Sequence, residues 1–123
     1  MNTNPVCWFE IYVQDLERAK IFYESVFQLK LDKLDTTGIE IWGFPKDTNR
    51  WGASGALVKM DGFPSGGNNT IVYFSCGDCS IEESRVARFG GRIQRNKMSI
   101  GEYGFISLVF DTEGNMIGLH SLK

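Results

Sequence analysis

The chain repeats itself at a spacing of 63 residues, and that spacing limits the fold more than any other feature of the sequence. Trp8 to Asp15 is an apolar run closed by an Asp that opens a helical pattern, and Ile71 to Asp78 is a second. The same offset carries the short apolar segment Ser54 to Val58 onto Ile117 to Ser121, so both halves start and finish alike. Internal repetition of this kind means two like supersecondary units.

In the first copy, residues 7–13 are rich in β-branched and aromatic types and are predicted as a strand. Asp15 suits a helix N-cap, with acidic Glu17 in the first turn, where the helix dipole favours it. Leu16, Ala19, Phe22, Tyr23, Val26 and Phe27 recur at helical spacing, which predicts an amphipathic helix to about residue 27. Strands are predicted at about 29–34, 38–44 and 52–60. They are separated by Thr37-Gly38 and by the polar stretch from Pro45 to Arg50.

The second copy is predicted to have a strand at about 70–76 and a helix opened by a capping box of Ser80 and Glu83. Gly90-Gly91 closes that helix. Strands at about 92–97, 103–110 and 115–121 follow, with a turn at Asp111 to Asn115. The expected organisation is a single domain over 1–123, with repeat 1 at about 5–60, a linker at about 61–69 and repeat 2 at about 70–122. The expected class is α+β: two βαβββ modules, eight strands in curled mixed sheets around a cleft.

A length of 123 residues allows one hydrophobic core, and 42% hydrophobic with 23% charged residues are ordinary globular values. The net charge of −2 gives no reason to expect nucleic acid or an anionic membrane as partner. Arg85, Arg88, Arg92, Arg95 and Lys97 form a locally basic stretch, which reads as the solvated side of a helix and its following strand. Met1 to Pro5 has no basic region followed by a long apolar run, so a cytoplasmic protein is expected. Its three cysteines are then expected to stay reduced. Cys76 and Cys79 make a C-x-x-C, but further zinc ligands or an activated thiol do not accompany it.

Asp15 to Tyr23 after the first strand, and Asp111 to Asn115 before the last, resemble the vicinal-oxygen-chelate superfamily of glyoxalases, extradiol dioxygenases and bleomycin-resistance proteins. The resemblance covers Pro5 to Leu122 and implies the paired βαβββ fold, a homodimer and a small-molecule pocket. In metal-dependent members, four ligands come from the first and last strands of each copy. Carried over by spacing, these fall on Trp8, Gly55, Ile71 and Gly118, none of which can coordinate a divalent ion. A one-residue slip brings in Phe9, Ala56, Val72 or Leu119, which does no better. No metal and no other cofactor is therefore expected.

Two residues on from those positions stand Glu10, Leu57, Tyr73 and His120, expected on the same inward faces. Glu10, Tyr73 and His120 are the candidate catalytic or anchoring groups, because His120 is the only histidine and a carboxylate can orient or charge its ring. A structural histidine satisfied by a neighbour is the competing account. Tyr12 and Ser75 extend the polar stripe, and Trp8, Trp42, Tyr103 and Phe105 are further candidate ligand contacts, with Phe44 and Trp51 also near the cleft. Gly101 to Gly104 reads as a rim loop or an ordinary hairpin turn.

The expected function is binding of a small apolar or aromatic molecule in the inter-sheet cleft without the usual divalent metal. The alternative is a metal-independent lyase, isomerase or dioxygenase-related enzyme that uses Glu10 and His120 as an acid/base pair.

Overall fold

In the computed structural model, which describes residues 4–36, 38–49, 52–67 and 69–123, the chain runs twice through the order strand, helix, three strands. The first pass is β1 (Val6–Tyr12), α1 (Leu16–Phe27), β2 (Asp32–Lys33), β3 (Glu40–Gly43) and β4 (Ser54–Lys59). The second is β5 (Thr70–Ser75), α2 (Cys79–Val86), β6 (Arg92–Ser99), β7 (Phe105–Phe110) and β8 (Met116–Ser121). The fold is α+β, and no described helix is long and apolar enough to cross a membrane. Backbone contacts divide the described residues into two units: Trp8–Thr70, and residues 4–7 with Ile71–Lys123. The segment around residues 61–69 thus goes with the first unit. The chain start goes with the second, where the Ser75 amide donates to the Pro5 carbonyl at 2.8 Å.

In the Trp8–Thr70 unit the strand order is β2-β3-β4-β1, with β1 parallel to β4 and the other pairs antiparallel. Asp15 caps α1 as expected: its backbone is extended and its carboxylate accepts from the Arg18 amide at 3.0 Å. Leu16 joins Val13, Leu31 and Leu57 in the core, with Ile11, Ala19, Tyr23 and Trp42 packed against them. The apolar stripe of the helix is narrower than its spacing suggested, because Phe22, Val26 and Phe27 are 56%, 55% and 60% exposed. β2 is likewise shorter than predicted. Gln28 takes the left-handed conformation at the helix end, and the Leu31 amide donates to the Glu24 carboxylate at 2.9 Å instead of to a strand.

In the other unit the order is β5-β8-β7-β6, with β5 parallel to β8 and the other pairs antiparallel. α2 covers a core of Cys79, Val109 and Leu119. Its N-cap is Asp78, not Ser80. The Ser80 amide and hydroxyl both donate to Asp78 Oδ1, at 3.0 and 2.7 Å, so the expected capping box does not form. Glu83 has a different partner set, accepting from the Lys97 amide at 2.6 Å and the Ser107 hydroxyl at 2.9 Å. Lys97 lies where the register of β6 against β7 shifts, so Glu83 satisfies a strand amide that the ladder leaves over. After Val86 a 3-10 turn, Ala87–Phe89, ends at Gly90 with a positive φ of 98°.

The two N-caps keep the 63-residue offset, but the last strands do not. Glu10 stands opposite Ala56, whereas Tyr73 stands opposite Gly118, so the mate of Gly118 is Ala56 at an offset of 62. One residue fewer between first and last strand in the second copy accounts for this. Because a one-residue slip exchanges the faces of a strand, the residue two beyond the corrected position is Val58. Leu57, expected beside Glu10, lies opposite Ile11 on the face that α1 covers.

Candidate functional site

In each unit the strands have one face under the helix and one turned away from it, and the polar candidates gather on the second kind. Alternation along β1 puts Trp8, Glu10 and Tyr12 together on such a face, opposite Ser54, Ala56 and Val58 of β4. The Glu10 carboxylate accepts from the Tyr12 hydroxyl at 2.7 Å through Oε1 and from the Trp8 indole N–H at 3.3 Å through Oε2. Tyr12 is 5% exposed and stacks on Phe63 with ring centroids 5.0 Å apart. Burial, then the Glu10 charge and the hydrogen bond to it, push the Tyr12 phenol far above its ordinary value. Tyr12 is therefore a neutral donor throughout the ordinary pH range.

In the second unit Tyr73 and Ser75 of β5 share the helix-free face with Gly118 and His120 of β8. The His120 Nε2–H donates to the Tyr103 carbonyl at 2.7 Å. A carbonyl can only accept, so that bond assigns the ring proton to Nε2. Tyr103 ends the 3-10 turn Gly101–Tyr103, which is held by bonds from the Ile100 amide to the Gly104 carbonyl and from the Gly101 amide to the Ser99 hydroxyl. Gly118 has a packing reason: a Cβ there would stand 2.2 Å from the Tyr73 ring.

Trp42 and Phe105 fall on the covered faces, away from these groups. Trp42 pairs with Leu57 beneath α1, with Lys20 Nζ 4.2 Å from its ring centroid. Phe105 packs against the core of Cys79, Val109 and Leu119, and Lys97 Nζ lies 4.7 Å from its centroid. Phe44 is packed between Phe9 and Tyr23 on the covered side. Strand parity explains all three, since their odd or even position decides the face once the register is set. Trp51 lies outside the described residues.

Parity also brings in two residues that sequence reasoning assigned to a solvated edge. Arg92 and Arg95 stand opposite Phe110 and Leu108, and Leu108 stands opposite Gly118, so both arginines belong to the face of His120. Two register shifts along β6 break the simple alternation that could have revealed this from sequence. The C-x-x-C does not gain an activated thiol. Cys79 is buried at the start of α2, and the Cys76 thiol is pushed up to about 11 by burial and then by the charge and hydrogen bond of Glu82.

Of the positions carried over for metal ligation, Ile71 is buried and Gly118 is filled by the Tyr73 ring. Among the described residues no group of three or more His, Cys, Asp or Glu side chains is placed to hold a metal ion. An open depression of about 290 Å³ in the first unit is lined by Gln14 and residues 59–64, and its Phe63 is the ring on which Tyr12 stacks.

These two units define an α+β protein of the glyoxalase-like fold, as the similar solved structures bear out. A hypothetical protein of Bacillus halodurans C-125 superposes with a TM-score of 0.74 at 12% identity, covering 99% of this chain and 96% of that one. Methylmalonyl-CoA epimerase of Mycobacterium tuberculosis gives 0.69 at 16% identity, with coverage of 97% and 88%. A methylmalonyl-CoA epimerase in complex with methylmalonyl-CoA and NH4+ gives 0.68 at 13%, with coverage of 95% and 93%. No family model matches the sequence. No curated protein matches it either. At such identities the likeness concerns the fold.

Proposed function

We propose that this chain is a small-molecule-binding protein that receives an apolar or aromatic ligand on a helix-free sheet face and uses no divalent metal. The observation that carries this is the Trp8, Glu10 and Tyr12 set, in which an indole and a phenol donate to the two oxygens of one carboxylate. Such bonding fixes the carboxylate and sets it beside aromatic surface, and small-molecule sites combine a few preorganised polar groups with apolar walls. A similar structure holding methylmalonyl-CoA supports the view that this fold accommodates an organic ligand.

Metal-independent catalysis by Glu10 and His120 has less support. The Nε2–H of His120 is engaged with the Tyr103 carbonyl, and both oxygens of Glu10 already accept bonds from Trp8 and Tyr12, an arrangement that suits positioning a ligand. Screening aromatic and acyl compounds by thermal shift tests the proposal. Binders are expected to raise the Tm of the wild type, and Trp8→Ala with Glu10→Gln to lose that rise. Binding untouched by both substitutions would remove this face from consideration. Elemental analysis showing a stoichiometric divalent ion would overturn the metal-free claim.

A further inference from the structure

We propose that Arg92 and Arg95 form an anion-recognising edge on the helix-free face of the second unit's strands, whose ligand is a small apolar or aromatic compound bearing a carboxylate or phosphate. This rests on the small-molecule reading above and extends it to a face of the other unit, with a chemical class for the ligand taken there. The register sets the rows of the face in order: Arg92 and Arg95 on β6, then Phe110, Leu108 and Ile106 on β7, then His120 on β8. An apolar strip thus lies between two guanidinium groups and an imidazole.

Both arginines are exposed, and apolar neighbours hold them on this face. The Arg92 guanidinium carbon lies 4.1 Å from the Phe110 ring centroid, and Arg95 Nη1 lies 3.6 Å from Met98 Sδ. These contacts leave the guanidinium edge able to donate to an oxyanion. Neither makes an ion pair with a described residue, whereas Lys97 on the same strand is paired with Asp78 on the α2 side. The four strands β5 to β8 contain no Asp or Glu, so no carboxylate on these strands neutralises the edge. In a chain of net charge −2, two arginines without an ion pair among the described residues, beside an apolar strip, complement an anion with an apolar body. The anion would meet the guanidinium forks while its body crosses Phe110 and Ile106.

The test is isothermal titration with benzoate, phenyl phosphate and neutral benzamide. The proteins compared are the wild type, an Arg92→Gln/Arg95→Gln variant, and an Arg85→Gln/Arg88→Gln control on α2 and the 3-10 turn that follows it. At least one anionic probe is expected to bind on the order of tenfold more tightly than benzamide. The Arg92/Arg95 variant should remove that preference together with its weakening by salt, and the control should keep both. The tighter of benzoate and phenyl phosphate assigns the anion as carboxylate or phosphate. Equal binding of benzamide overturns the anion class and leaves the small-molecule reading standing, as does anion binding that survives in the Arg92/Arg95 variant. Failure of every probe, where the broader screen still finds Trp8-dependent binders, also overturns the anion class alone. Failure of both sinks both.

Discussion

Asp78 concentrates three bonds on one oxygen: Oδ1 accepts from the Ser80 amide, the Ser80 hydroxyl and, at 2.9 Å, Lys97 Nζ. These donors, Lys97 first, bring its carboxyl down from 3.8 to about 2. A folded-state value below the unfolded one means that the stabilisation is complete above pH 3.8 and is lost as pH falls through about 2. Urea unfolding followed at stepped pH should show stability falling across that window. Lys97→Met should flatten the fall, and an unchanged pH profile in that variant would mean that Lys97 does not hold the carboxyl down. Ser80 and Glu83 illustrate what sequence can and cannot say at this scale. Their spacing is that of a capping box, yet a better placed Asp two residues earlier takes the serine, and a leftover strand amide takes the glutamate.

At the scale of elements, α1 was legible in both its start and its end, because capping is local chemistry between residues three apart. Its buried face was only half legible. Leu16, Ala19 and Tyr23 reach the core, while Phe22, Val26 and Phe27 satisfy the same periodicity and remain more than half exposed. Periodicity identifies the apolar side of a helix, but the width of the stripe that is covered depends on the sheet beneath. Two substitutions separate these effects in chemical denaturation. Asp15→Ala should cost about 1 kcal/mol through the lost cap, whereas Phe27→Ser should change stability by less than about 0.5 kcal/mol. A larger loss at Phe27 than at Asp15 would show that the exposed stripe is covered in solution.

For the molecule as a whole, the first strand is shared in a way that no repeat boundary in the sequence suggests. Residues 4–7 belong with Ile71–Lys123, and the Ser75 amide donates to the Pro5 carbonyl. Removing residues 1–6 should therefore release the Ser75 amide to hydrogen exchange while amides at the β3–β4 pairing keep their protection. Protection of Ser75 in the truncated chain would contradict that bond. The sequence by itself determined the two βαβββ passes and the start of the first helix, since these depend on residue type and on contacts within a few positions. Only the tertiary structure decided the faces: Leu57, Trp42 and Phe105 went under the helices, and Arg92 and Arg95 came onto the face of His120. Side chains on a strand alternate, so a single residue gained or lost in a loop or bulge reverses every later assignment, and only the pairing of strands reveals it.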